Sequence, residues 1–185
     1  MDMADKRIQG MKKIKLTQGK EALVDDEDYE MLMEHKWHSA KAGKNYYAVR
    51  SLPTQPDGTR KRLKMHRAII SATVGMEVDH INGNTLDNRK ENLRECTHQQ
   101  NQANRRLGKH NTSGYKGIYY KKKNRDMINE HAGPWEARIS FNTKKIYLGS
   151  YKTKEEAARA YDKKAIELFG QFAQLNFPEE RMIAE

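Results

Sequence analysis

The chain is almost without cysteine: Cys96 is the single example in 185 residues. One thiol excludes an internal disulfide framework and argues against a cysteine-rich zinc site. No apolar run approaches the length needed to cross a bilayer, and the first residues lack the apolar core of a signal peptide. A cytoplasmic protein, not secreted and with no membrane partner, is therefore expected. No Gly-rich phosphate loop is evident, so an ATP-driven activity is not suggested. Hydrophobic residues are 36% of the chain, which allows one ordinary domain or two small ones but no large core.

Positive charge is what the chain has in excess. Lys and Arg number 35 against 25 Asp and Glu, a net charge of +10. Such a balance points to a polyanion, and nucleic acid is the commonest. Solubility is served by the same charge, so the composition alone decides little.

Residues 1–11, "MDMADKRIQGM", show no periodicity and read as a flexible tail. "KIKLTQG" and "EALV" read as short strands joined by a Gly turn, and "DDEDYEMLMEHKW" as a brief helix. Asp25, Asp26 and Asp28 at its start are taken as caps and macrodipole partners rather than metal ligands. "NYYAVRS" is another strand, and "RKRLKMHRAIISATVG" leads through basic residues into a short helix. In "THQQNQANRRLG" Thr97 and Gln100 form a capping box and Gly108 is the expected stop, which sets Asn101 mid-helix. "RRLGKHNTSG" reads as an exposed basic linker, with the boundary at 107–113.

Beyond it, "YKGIYYKKK", "PWEARISFN" and "KKIYLGSY" are strand-like. "TKEEAARAYDKKAIELFG" opens with a second capping box, Thr153 and Glu156, and closes on Gly170. Ala158, Tyr161, Ala165 and Leu168 recur at helical spacing. The pattern predicts three antiparallel strands covered by one helix over 114–178, followed by a tail at 179–185. Alternation sends Trp135, Ala137, Ile139, Phe141, Ile146, Leu148 and Ile118 inward. It leaves Tyr119, Lys121, Lys123, Arg138, Ser140, Lys145 and Tyr147 outward. Any half-buried sheet has a polar open face. This one has a sign, because Glu136 is its one acid, and DNA contact is the favoured reading.

The run "YKGIYY…WEARI…KKIYLGSYKTKEEAARAYDKKAIELFG…LNFP" resembles an AP2/ERF DNA-binding domain. In that family the sheet lies in the major groove. By position the resemblance implies contacts from Lys116, Tyr119, Lys121, Arg138, Ser140, Lys145 and Tyr147, with Tyr161 near the backbone. Tyr119, Arg138 and Ser140 differ from the residues that plant factors use for bases, so the target sequence does not carry over.

Ahead of the linker stands "VDHINGNTLDNRKENLR". An adjacent carboxylate and imidazole are common and by themselves mean little. Asn92, twelve residues after His80, and Asn101, twenty-one after it, change that. With the upstream "MHRAII", residues 62–106 resemble the HNH nucleases of phage and intron-homing type, with a ββα-metal core inside a domain spanning 12–106. The fold class is thus α+β: small N-terminal strands, the ββα-metal module, then the sheet-on-helix domain.

The resemblance implies a metal-dependent DNA endonuclease leaving 5′-phosphate and 3′-hydroxyl ends. A neutral imidazole with a reference pKa of about 6.5 is a suitable general base, and His80 is assigned to activating water. Asp79 and Asn101 are the expected oxygen ligands of one divalent cation, and oxygen donors favour Mg²⁺ or Mn²⁺. Asn92 is expected to hold the loop that presents His80. Asn82, Asn84 and Asn88 are taken as turn residues, and His66 as either a related functional residue or one that packs within its helix. Arg67, Asn104 and Arg105 are candidates for phosphate contacts, the last two sharing a helix face with Asn101. Double-stranded DNA is the expected partner, bound by a monomer. The alternatives are a regulator with an inactive nuclease module and an RNA-binding protein.

Overall fold

Ile14, Ala22 and Val24 lie on one side of a hairpin, β1 (Met11–Lys15) and β2 (Glu21–Asp25), and that apolar side requires a cover. Leu32, Trp37, Ala48 and Met65 provide it, forming one buried cluster. The turn passes through left-handed backbone at Gln18 and Gly19 (φ 60° and 62°). The computed structural model describes residues 10–108, 110–121 and 133–183. The chain divides into two compact units between Cys96 and Thr97.

In the first unit α1 (Asp26–Met33) follows β2 directly, with Asp26, Glu27 and Asp28 in its first turn, where the macrodipole favours acids. Asp25 holds the N-cap position but does not cap. Its Oδ2 accepts the Lys90 N–H at 2.7 Å, and the Lys90 ammonium pairs with Glu27 and Asp28. The acidic start of α1 therefore fastens a distant loop, a correction to the capping role expected of Asp25. A three-stranded antiparallel sheet follows, in the order β3 (His38–Ala42), β4 (Asn45–Ser51), β5 (Arg62–Lys64). Only β4 was legible, because "HSAKA" and "RLK" carry too few apolar residues to show a period. One helical turn, α2 (Met65–Ile69), buries Met65 and His66. β6 (Glu77–His80) pairs with β7 (Leu93–Cys96), setting Asp79 opposite Arg94 and His80 opposite Leu93.

The second unit opens on α3 (His98–Ala103), whose Thr97–Gln100 capping box is formed as expected. The helix ends at Asn104 rather than Gly108. Lys116 explains the early stop: its ammonium donates to the carbonyls of Ala103 and Arg105, and the Gln174 N–H reaches Ala103 O at 3.3 Å. Ala103 is part of this unit's apolar cluster. The division of the chain thus falls before α3, not in the 107–113 segment.

The expected sheet is present as β8 (Ile118–Tyr120), β9 (Trp135–Phe141) and β10 (Lys144–Tyr151), in the order β10-β9-β8. It packs on α4 (Lys154–Phe169), which opens on the Thr153–Glu156 capping box and stops at Gly170. Ile118, Ala137 and Ile139 meet Ala158, Tyr161 and Ala165, with Phe169 closing one end and Leu168 half-buried. A side chain at Gly117 would lie 2.2 Å from the Tyr161 ring, so the strand approaches the helix only because this residue is glycine. The Asp162 carboxylate accepts the N–H groups of Asn176 (2.9 Å) and Phe177 (2.8 Å), tying the "LNF" segment to α4. Met11 lies inside β1 and Pro178–Ile183 forms 3₁₀ turns, so ordered structure reaches into both expected tails. Residues 1–9 and Lys123 lie outside the described residues.

Candidate active site

Residues 81–92 leave β6 and return to β7, and side-chain amides hold this loop in shape. Asn92 Oδ1 accepts the Asn82 N–H at 2.9 Å while its Nδ2 donates to the Asp87 carbonyl at 2.8 Å, so one side chain bridges the two limbs. The Asn82 amide donates to Asp87 Oδ2 at 2.9 Å, and the Arg89 guanidinium grips the same carboxylate through two 2.8 Å bonds. Those bonds hold the Asp87 carboxyl below its ordinary pKa. Leu23 of β2 anchors the loop from below, donating to Leu86 O and accepting the Asn88 N–H, both at 2.8 Å. Asn82 and Asn84 act as turn residues: their Oδ1 atoms accept the N–H groups two residues on, at 2.8 and 3.2 Å.

His80 ends β6 just before this loop and is 5% exposed. That is more enclosed than expected for a residue that activates water. Its surroundings nevertheless include polar side chains, those of Asn88, His66 and Tyr47. Asn88 Oδ1 lies 3.3 Å from its Nε2. The His66 ring stands edge-on at 4.9 Å between centroids, and Tyr47 packs against both imidazoles, 5.9 Å from His66 and 6.3 Å from His80. Burial pushes His80 below its ordinary pKa, against smaller upward pulls from Asn88, Asp79 and Asp87. The imidazole is therefore neutral at pH 7, the form that can accept a proton.

Asp79 is equally buried, and its Oδ2 accepts Arg94 Nε at 3.0 Å and Nη2 at 2.8 Å. This cross-strand ion pair was not anticipated, although the two residues face each other in the β6–β7 register. Arg67 donates to the Met76 carbonyl at 3.1 Å, which ties α2 to the start of β6. Asn101, half-buried, sits on α3 in the other compact unit. Asn104 caps that helix, and Arg105 is exposed and bonded to Gln102 at 2.8 Å.

On the C-terminal sheet the outward face carries Tyr119, Lys121, Arg138, Ser140, Lys145 and Tyr147, all exposed. Pairing sets Arg138 beside Tyr147 and Ser140 beside Lys145. The Arg138 guanidinium lies 5.8 Å from the Tyr119 ring. Glu136 is buried beneath Arg138 and Lys121, which pair with it, so the one acid of this face among the described residues is neutralised. A bulge between Tyr147 and Gly149 brings Ser150 onto the face, where its hydroxyl meets Tyr147 Oη at 2.7 Å. Two residues carried over by position point elsewhere. Lys116 is spent on the end of α3, where burial pushes its ammonium down to about 8, and Tyr161 is a core residue.

The HNH endonuclease family matches residues 65–103, the stretch from α2 through α3. An uncharacterized HNH endonuclease of Acanthamoeba polyphaga mimivirus is 30% identical over 161 residues, covering 84% of this chain and 74% of that protein. The chain belongs to the HNH endonuclease family. Its C-terminal unit is similar to AP2-like ethylene-responsive transcription factors of plants. The ethylene-responsive transcription factor WRI1 of Arabidopsis thaliana is 57% identical over 49 residues, and an AP2-like ethylene-responsive factor of the same plant is 53% identical over 55. These matches span 25% and 29% of this chain but only 11% and 16% of the plant proteins. No solved structure matches.

Within the HNH unit, Asp79 offers a hard carboxylate oxygen, which fits a divalent cation of the Mg²⁺ type. Among the described residues no three His, Cys, Asp or Glu form a group that could hold a metal ion. A cation there would take its other oxygens from water and from DNA, and would compete with Arg94 for Asp79. Sequence spacing singled out Asp79, His80 and Asn92. It missed Tyr47, Asn88 and Arg94, which reach the site through strand pairing and loop packing and leave no trace in local spacing.

Proposed function

We propose that the protein is a metal-dependent endonuclease that hydrolyses duplex DNA, its AP2-like unit binding the substrate. His80 takes the proton of a water molecule as its oxygen attacks the phosphorus, and the P–O3′ bond breaks, the departing oxygen taking a proton from solvent, to leave 5′-phosphate and 3′-hydroxyl ends. Asp79 would hold a divalent cation, Mg²⁺ or Mn²⁺, with Asn101 as the second expected ligand, and the cation would supply charge stabilisation for the phosphate and the departing oxygen. Asn92 keeps the loop closed so that His80 stays aimed. The observation that carries this reading is a neutral imidazole buried among polar groups, next to a carboxylate, in a chain of HNH membership. Aliphatic neighbours would have suited a packing role better.

Incubation of supercoiled plasmid with Mg²⁺ or Mn²⁺ tests it. The wild type is expected to nick or linearise the plasmid and to stop with EDTA. His80→Ala is expected to lose roughly 10²- to 10⁴-fold in rate while still binding DNA. Full activity in His80→Ala, or indifference to EDTA, overturns the proposal. One observation favours a second reading, DNA binding without cleavage: the Asp79 carboxylate is already paired with Arg94. A wild type that binds the plasmid but never cuts it supports that alternative.

A further inference from the structure

Imidazole has two nitrogens, and a neutral ring carries its one hydrogen on either. A general base must keep the lone pair on the nitrogen that faces the water. The other nitrogen's hydrogen-bond partner decides which tautomer forms, and around His80 that partner is Asn88.

The Asn88 amide can be oriented from its own bonds. Its NH₂ end lies 3.3 Å from the Leu86 carbonyl, which only accepts. The carbonyl end is therefore the one that faces His80, with Oδ1 3.3 Å from Nε2. An amide oxygen only accepts as well, so Nε2 must carry the hydrogen. Flipping the amide would set oxygen against oxygen at Leu86 and is disfavoured there.

The amide has little freedom to do otherwise. Asn88 is 1% exposed, and its own N–H is held by Leu23 O at 2.8 Å. Asp87, the residue before it, is clamped by Asn82, Arg89 and Asn92. A turn asparagine needs none of this burial; Asn82 and Asn84, which do serve the turn, are exposed.

We propose that Asn88 is a positioning residue that fixes His80 as the Nε2–H tautomer, leaving the lone pair on Nδ1 as the basic nitrogen. The inference rests on the reading of His80 as the general base. It extends that reading by naming the atom that takes the proton and the residue that selects it.

The test uses the full chain with ¹⁵N-labelled histidine, and two-bond ¹H–¹⁵N correlation spectra at neutral pH. In the wild type the His80 signals are expected to show the Nε2–H pattern. A protonated Nδ1, or averaging of the two tautomers, overturns the proposal. Asn88→Ala supplies the second measurement. It is expected to abolish the single-tautomer pattern and to lower kcat for plasmid nicking by roughly 10-fold or more, a part of the 10²–10⁴ that a general base contributes. KM for DNA should stay unchanged, because Asn88 is buried. An Asn88→Ala protein that keeps both the tautomer and kcat overturns the proposal. If Asn88→Ala does not fold, the wild-type spectrum decides alone. The two readings fail separately: an active His80→Ala removes the base assignment, whereas a wrong tautomer removes only the role of Asn88.

Discussion

Acid should weaken the HNH unit through His66, and the size of the effect follows from where this ring sits. Burial first, then the nearby charges of His80, Lys64 and Arg67, push its pKa down to about 3. An unfolded histidine titrates near about 6.5. The folded protein therefore refuses a proton that the unfolded chain accepts. Stability from this group is complete above pH 6.5 and is lost as the pH falls toward 3. The difference of about 3.5 pKa units corresponds to about 5 kcal/mol once fully expressed, and to about 3 kcal/mol at pH 4.5. Against a total of roughly 5–15 kcal/mol for a small domain, that loss is large.

Carboxylates titrate over the same range, so the measurement must isolate the histidine. Trp37 is buried in the core of the HNH unit and donates to Leu32 O at 2.8 Å, which makes its fluorescence a reporter of that unit. Trp135 belongs to the other cluster and is silenced by Trp135→Phe. Urea unfolding at pH 7 and at pH 4.5 is then compared between this background and the same chain carrying His66→Gln. The background should lose about 3 kcal/mol more than the variant on acidification. Equal losses in the two proteins would mean that His66 is not held neutral, and the polar cluster of Tyr47, His66 and His80 would need a different electrostatic account.

Three further predictions concern the AP2-like unit. Gly117→Ala places a methyl group 2.2 Å from the Tyr161 ring at a φ of +76°, so it should cost more than about 2 kcal/mol in a Trp135-detected melt; a change within about 0.5 kcal/mol would refute the close approach. Lys116→Met should reduce stability by about 1–3 kcal/mol by removing the ammonium's bonds to the Ala103 and Arg105 carbonyls, with little change in DNA affinity. Lys145→Ala should do the reverse, weakening DNA binding and lowering the slope of log affinity against log salt by about one without altering the melt. Equal behaviour of the two lysine variants would show that Lys116 is on the DNA face after all.

The legible parts of the fold are those in which local pattern and tertiary role coincide. Both capping boxes, at Thr97 and at Thr153, are read from four residues and formed by the same four. The alternation of β9 assigns Ala137 and Ile139 to the core and Arg138 and Ser140 to the surface because that sheet has one covered face. Where the coincidence fails, so does the reading. β3 and β5 are strands only because β4 lies between them, and α3 stops four residues early because Lys116, beyond the helix, takes its last carbonyls. Lys116 and Tyr161 were carried over by family position, yet position along a chain does not say which way a side chain turns. Glu136 shows the converse: on alternation it is an exposed acid, but two cations fold over it and bury it.

The active-site region divides along the same line, and its asparagines show why. Asn82, Asn84, Asn88 and Asn92 lie within eleven residues and share one side chain, so composition cannot separate them. What separates them is the wall each one meets. Asn82 and Asn84 are exposed and turn the backbone beside them, Asn82 also holding the Asp87 carboxylate. Asn92 meets the opposite limb of its own loop and closes it. Asn88 meets β2 below, where Leu23 O accepts its N–H, and an imidazole above. The same amide thus supplies a turn, a brace or a tautomer lock according to contacts made 65 residues away in the case of Leu23. Local spacing can therefore single out the residues proposed for the chemistry, since Asp79 and His80 are neighbours along the chain. The residues that make it chemically competent are selected by the fold, and only the folded chain identifies them.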